Sequence, residues 1–247
     1  MNSTIKNKFK KILIVIFYLV IWQIISMIFK EEILFVSPFK VLEKTFINLM
    51  DIYFYKSVFA TVYKILLGFI FGSIFGIILS IISYRFEIFK DFIYLPITIL
   101  KSIPVVSFVI LLLFFVGSYK LSIYISFIMV LPIIYLNVYE GLNNVDKNYL
   151  KMADIYRVSL KNKIKYIYFE ELNPFLISAF SLSIGLAFKS GLAAEVIALP
   201  SYGIGTMLYN SKIYLDTANL FSYTIIAVLV SYLCEKIILK ILRRVLG

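Results

Sequence analysis

Residues 59–82, FATVYKILLGFIFGSIFGIILSII, decide how this chain folds. The stretch holds a single charge, Lys64. Coiled as an α-helix at ~1.5 Å per residue it is about 36 Å long, more than the ~30 Å hydrocarbon core of a bilayer. It therefore predicts a membrane-crossing helix. Gly68, Gly72 and Gly76 recur every fourth residue and share one face. Small residues at that spacing let two helix backbones approach closely. The simplest reading is ordinary helix packing, and a subunit interface is the alternative.

The rest of the chain is of the same kind. Of 247 residues, 62% are hydrophobic and 16% charged, whereas soluble domains sit near ~45–50% and ~25%. The fold class expected is all-α and integral to the membrane, as one helical bundle. A first span is expected over 11–29. Lys6, Lys8, Lys10 and Lys11 precede it in the manner of a signal peptide, but the apolar run reaches Phe29 with no small-residue cleavage site, so the span is read as retained. Ser37-Pro38 is a helix start, serine as N-cap and proline at the first helical position. Val41, Leu42, Thr45, Phe46 and Leu49 follow at helical spacing, predicting a short amphipathic helix on the membrane surface. Residues 92–117 are apolar but interrupted at Lys101 and Pro104, which predicts a broken span, tolerated at membrane depth where it lines a cavity or packs in protein. Gly117-Ser118 turns the chain into a span over 121–140, and further spans are expected over 174–194 and 218–240.

Six crossings put both termini on one side. With the N-terminus in the cytoplasm, segments 1–11, 83–91, 141–173 and 235–247 hold 16 Lys and Arg, and the outer segments hold 6. That bias places both termini and segment 141–173 inside. It also accounts for the net charge of +11 without nucleic acid as a partner. The sequence has no histidine and one cysteine, Cys234, which reads as packing. Disulfides, Cys/His metal sites and histidine acid–base catalysis are excluded, and no cofactor is expected.

Two constellations carry chemistry. Segment 141–173 is polar, yet Leu150, Ala153 and Arg157 share a helix face, and Ile164, Ile167, Tyr168 and Leu172 form an apolar stripe. A helix–turn–helix outside the bilayer fits that pattern. The second constellation is Lys189 and Glu195, with Lys101 beside the helix break. Intramembrane charge costs at least ~2.5–3.5 kcal/mol at a span's centre, so it faces a partner or a wet cavity. Lys189 and Glu195 are too far apart in register to face each other and so each either pairs with another span or lines a solute pathway. Lys101 either lines the pathway as well or snorkels to the inner surface.

The order of these features resembles the membrane subunit of an ATP-binding-cassette importer, of the nitrate/sulfonate/taurine permease type. Ser37-Pro38, the run from Leu67-Gly68-Phe69 to Gly76, Ile103-Pro104-Val105-Val106, Pro174, Ala194-Glu195 and Gly203-Ile204-Gly205 fall where that family has similar residues. Lys151-Met152-Ala153-Asp154-Ile155-Tyr156-Arg157 stands where it carries a Glu-Ala-Ala…Gly cytoplasmic motif. Of that triplet only Ala153 is kept; Arg157 replaces the usual glycine, and Glu170 stands where proline is frequent. The resemblance implies a type I importer permease with a coupling helix at 149–158. Met152, Ala153, Asp154, Tyr156 and Arg157 are its expected contacts with a separate ABC ATPase. It further implies a second copy of the chain as a homodimer, an extracytoplasmic solute-binding protein and a bacterial cell membrane. The implied substrates are a sulfonate, taurine, nitrate or a vitamin precursor. No Gly-rich phosphate loop with Lys-Ser/Thr is present, consistent with ATP hydrolysis by a partner. A self-contained secondary transporter and an intramembrane enzyme are the alternatives. The first lacks an internal repeat here, and the second lacks paired intramembrane carboxylates.

Overall fold

A computed structural model describes residues 3–29, 33 and 35–246. The side chains of Lys6, Lys8 and Lys11, and Lys30 entirely, lie outside the described residues. In chain order the helices are α1 (Ser3–Ile28), α2 (Pro38–Asn48), α3 (Ile52–Arg85), α4 (Glu87–Ser102) and α5 (Val105–Asn143). Then come α6 (Lys147–Ile155), α7 (Leu160–Lys163), α8 (Phe169–Ala198), α9 (Ile204–Ile213) and α10 (Thr217–Leu246). A π turn, Ile164–Tyr168, joins α7 to α8 without interrupting the rod. Among the described residues three helical stretches are long and apolar enough to cross a membrane by length and composition: Ile52–Arg85, Leu160–Ala198 and Val105–Asn143, the last of them broken at Gly117. Ile12–Ile28 is a shorter apolar helix.

The centre is built by α3, α5 and α8. The glycine ladder of α3 packs on α5 of the same chain. A Cβ placed on Gly72 would lie 2.9 Å from the Phe127 carbonyl oxygen, and one on Gly76 2.9 Å from Ile134 Cβ. Ile65, Phe69, Val130, Ile134, Ile184 and Phe188 fill the contact. Lipid is as apolar as these side chains, so close packing rather than water exclusion holds such helices together. Ser80 Oγ adds a hydrogen bond across the seam, to the Tyr135 carbonyl at 2.7 Å.

The chain breaks at Ser102–Pro104 for a local reason. Pro104 has no N–H, and the residue before a proline is driven to extended backbone. Ile103 obeys, at φ −73° and ψ 133°. Helix α5 itself bends at Gly117, whose φ of 70° is left-handed and open to glycine at no steric cost. Val109 and Leu112 before the bend pack with Leu121 and Ile125 after it, so the chain reverses there. Helix α4 joins the same antiparallel arrangement, Ile97 packing on Leu131 and Tyr135.

Helix α2 starts at Ser37, whose Oγ accepts from Lys40 N at 3.5 Å. It is seated on α10 rather than lying alone. Val41 is buried, Thr45 Oγ1 meets Ser222 Oγ at 2.9 Å, and Asn48 Nδ2 donates to Asn219 Oδ1 at 3.0 Å. Helix α1 is tied near its C-terminal end, where Trp22 Nε1 donates to the Val36 carbonyl at 3.0 Å and its ring packs with Phe35 and Phe221. The side chains at 12–21 are exposed.

Candidate functional site: an apolar cavity with two lysines, a buried ion pair and a capped polar helix

A cavity of about 640 Å³ lies where the end of α4 meets α5 and α8. Its walls are mostly aliphatic: Leu100, Met129, Pro132, Ile133, Leu136, Leu182 and Leu186. Lys101, in the last turn of α4, and Lys189 of α8 both line it and both are exposed. The other polar linings are Asn137 and Ser181. Asn137 Nδ2 is engaged by its own helix, donating to the Ile133 carbonyl at 2.8 Å. Ser181 Oγ donates to Glu235 Oε1 of α10 at 2.5 Å. Among the described residues no carboxylate lines the cavity. Two residues distant in sequence are thus brought to one wall, and the wall carries positive charge only.

Glu195 does not join them. It is enclosed, 1% exposed, and its Oε1 lies 2.5 Å from Nζ of Lys64, also fully buried. The charge comes from α3, where Lys64 is the single charge of residues 59–82 and the sequence assigned it no partner. Thr61, one turn before Lys64, donates its hydroxyl to Glu195 Oε2 at 2.7 Å. Lys64 Nζ also donates to the Tyr202 carbonyl at 3.2 Å. The cluster serves α9. That helix begins at Gly203-Ile204-Gly205 with no side-chain cap of its own, and free N–H groups at a helix start need acceptors. Thr61 Oγ1 accepts from Ile204 N at 2.8 Å and Glu195 Oε2 from Gly205 N at 3.2 Å. A carboxylate there also suits the positive end of the helix. The contact is so close that a Cβ on Gly203 would lie 2.7 Å from Glu195 Oε2. This explains why glycines flank Ile204, which spacing alone did not reveal.

Within the polar segment Lys147–Ile155 form α6, and the residues from Leu160 onward run through α7 and the π turn into α8. Asp146 caps α6, accepting from Asn148 N at 2.7 Å. Its C-terminus closes with Val158 N donating to the Ala153 carbonyl at 2.8 Å and Arg157 N to the Asp154 carbonyl at 3.0 Å. Those paired bonds are a Schellman closure, whose turning residue is left-handed and usually glycine. Arg157 takes that conformation, at φ 51°. Ala153 is buried and seats the helix. Asp154 is paired with Lys163. Met152 and Tyr156 are exposed, and so are Tyr149 and Ile155, which the sequence reading had not singled out. Together they make one apolar stripe at helical spacing, whose signal was the i, i+3, i+6 recurrence. Of the second stripe, Tyr168 and Leu172 pack on the core, whereas Ile164 is exposed.

Residues 68–247 match the family of binding-protein-dependent transport system inner membrane components. The chain belongs to that family. No curated protein matches the chain. The match takes in the second half of α3 and everything after it, and so covers the cavity, Glu195 and α6. This inner membrane component is therefore a transport permease of the ABC importer kind, all-helical and held in a membrane. In it, Arg157 holds a left-handed geometry without glycine's freedom.

Proposed function

We propose that this permease forms half of a solute pathway and is driven from the cytoplasm by a separate ATPase that grips α6. The carrying observation is the stripe Tyr149, Met152, Ile155 and Tyr156, exposed on a helix closed at both ends by hydrogen bonds. An apolar stripe on a rigid helix outside the bilayer is what a groove-docking contact needs. In this reading the spans are α1, α3, α4 with the first part of α5, the second part of α5, α8 and α10. Both termini lie in the cytoplasm of a bacterial cell, and an extracytoplasmic solute-binding protein delivers the solute. Purification with native partners tests it. An ATPase should accompany the wild-type permease and be lost from a Tyr149→Ala/Met152→Ala protein that still inserts and folds. Retention of the ATPase by that variant would remove α6 from the contact. Solute-coupled transport by the permease alone would favour the secondary-transporter reading instead.

The cavity supports an anionic solute. Lysines are costly at membrane depth unless water or a counter-charge meets them. Lys101 and Lys189 are exposed to one cavity that has no carboxylate among its described lining residues. A small solute with an anionic group, such as a sulfonate, the sulfonate end of zwitterionic taurine, nitrate, or an anionic vitamin precursor, meets that requirement. Loss of one charge-assisted contact corresponds to about tenfold or more in affinity. Uptake by Lys189→Gln should fall by that order and Lys189→Arg should keep it; unaltered uptake in both, at matched expression, removes the idea.

A further inference from the structure

We propose that the C-terminal third of α10 is a binding site for an anionic phospholipid. Two chemistries divide around this helix. Val230, Cys234, Ile238 and Leu242, at successive intervals of four, pack against the core. Glu235, the acidic residue of this stretch, turns the same way and accepts from Ser181. The other side carries Lys236, Lys240, Arg243 and Arg244, at i, i+4, i+7 and i+8, all exposed. At 100° per residue these four fall within a single arc of about 100°, opposite the packed face. Among the described residues none of the four forms an ion pair. Lys236 Nζ lies 5.2 Å from the centre of the Tyr232 ring, a contact that leaves its charge without a counter-ion. A recess of about 690 Å³ runs along the four, its apolar side formed by Leu233, Ile237 and Leu239.

The stripe changes character along the helix. Leu229 and Leu233, on the same arc, are exposed and apolar, and the cations begin only at Lys236. A phospholipid has the same division. Its acyl chains would lie along the apolar part and its phosphate would reach the cations beyond. The positive-inside bias alone asks only for basic residues somewhere near the end of a span. It does not ask for them on one face, directly continuous with exposed aliphatic side chains and without acidic partners. Two arginines among the four add fork-shaped donors suited to a phosphate group. A net negative headgroup is required, since a zwitterionic one would leave four cations uncompensated.

The proposal rests on α10 being a membrane span with its C-terminal end at a headgroup layer. Full-length permease in nanodiscs of mixed phosphatidylglycerol and phosphatidylcholine, analysed by native mass spectrometry, tests it. Both leaflets are alike there, so the site meets anionic headgroups whichever way the protein is inserted, and an error in orientation does not erase the result. Wild type should retain phosphatidylglycerol in preference to phosphatidylcholine. Substituting Lys236, Lys240, Arg243 and Arg244 by Gln should abolish the preference, with affinity falling roughly fivefold per neutralised side chain. Exchanging Lys for Arg and Arg for Lys at the four positions should preserve it. A Lys161→Gln/Lys165→Gln protein, which also loses basic charge, should behave as wild type. Unaltered retention in the four-fold Gln variant, or equal loss in the Lys161/Lys165 variant, overturns the proposal. Thermal unfolding in pure phosphatidylcholine discs should be the same for all variants, which separates lost lipid binding from lost folding.

Discussion

Arg157 holds φ 51°, a conformation that costs an L-residue about 1–2 kcal/mol and costs glycine nothing sterically. Glycine returns part of that through its greater chain entropy. Arg157→Gly is therefore expected to stabilise the permease by up to about 1 kcal/mol. The check is the thermal midpoint in detergent; a lower midpoint would mean that the arginine side chain makes a compensating contact. The Lys64–Glu195 pair is governed by burial instead. Removing one member of a buried pair leaves a charge without compensation and costs about 3–5 kcal/mol. Lys64→Met and Glu195→Gln should each destabilise by that order. The double variant should recover much of the loss. An amide oxygen in place of the Glu195 carboxylate can still accept from Thr61 and Gly205, while no charge remains buried. Additive losses in a double-mutant cycle would show that the pair is not the coupled unit its 2.5 Å separation implies.

Helices with strong local signals are legible in the sequence alone. Ser37-Pro38 starts α2, Pro104 separates α4 from α5, and Gly117 bends α5, each through a backbone property of the residue itself. The glycine ladder was legible as a close-contact face but not as to its partner. Its partner is α5, and this depends on the reversal at Gly117 that lays the second part of α5 on α3. Gly72→Leu should accordingly destabilise the fold by at least ~1–3 kcal/mol, since Val130 and the Phe127 backbone leave no space. Gly185→Ala, with nothing within 4 Å of the added carbon, should cost nothing and gain up to about 1 kcal/mol of helix propensity in the same unfolding assay. Equal effects at the two positions would contradict the packing described. That Glu195 pairs with another span was one of two readings open in the sequence, but its partner was not legible. Lys64 lies on α3 and Glu195 on α8, and no periodicity within one span reports a partner in another. The same limit hid the shared cavity of Lys101 and Lys189, which exists only once α4 and α8 flank α5.

At the scale of the molecule, one chain leaves its own cavity open. Leu182, Gly185 and Lys189 recur at i, i+3 and i+7 on α8, lining that cavity. Leu182 is 61% exposed, and among the described residues no atom comes within 4 Å of the position a Cβ on Gly185 would take. A lysine left facing lipid on this surface is unfavourable, whereas a second copy opposite it would enclose the cavity and keep Lys189 in water. Where two copies meet about a two-fold axis, a residue near the axis faces its own counterpart. A cysteine there would have its partner within the ~4.4–6.8 Å Cα separation that a disulfide spans. Cys234 is the only native cysteine, so Cys234→Ser provides a clean background. In that background Gly185→Cys and Leu182→Cys should form a dimer on mild oxidation in membranes, visible without reductant and lost with it. Ile78→Cys, exposed on α3, serves as the comparison and should remain a monomer. Cross-linking at Ile78 and none at 182 or 185 would move the interface, and with it the pathway, to the α3 side of the bundle. Cross-linking at 182 or 185 that blocks uptake until reduced would tie that face to the working cycle, because a covalent bridge across the pathway prevents the two halves from separating.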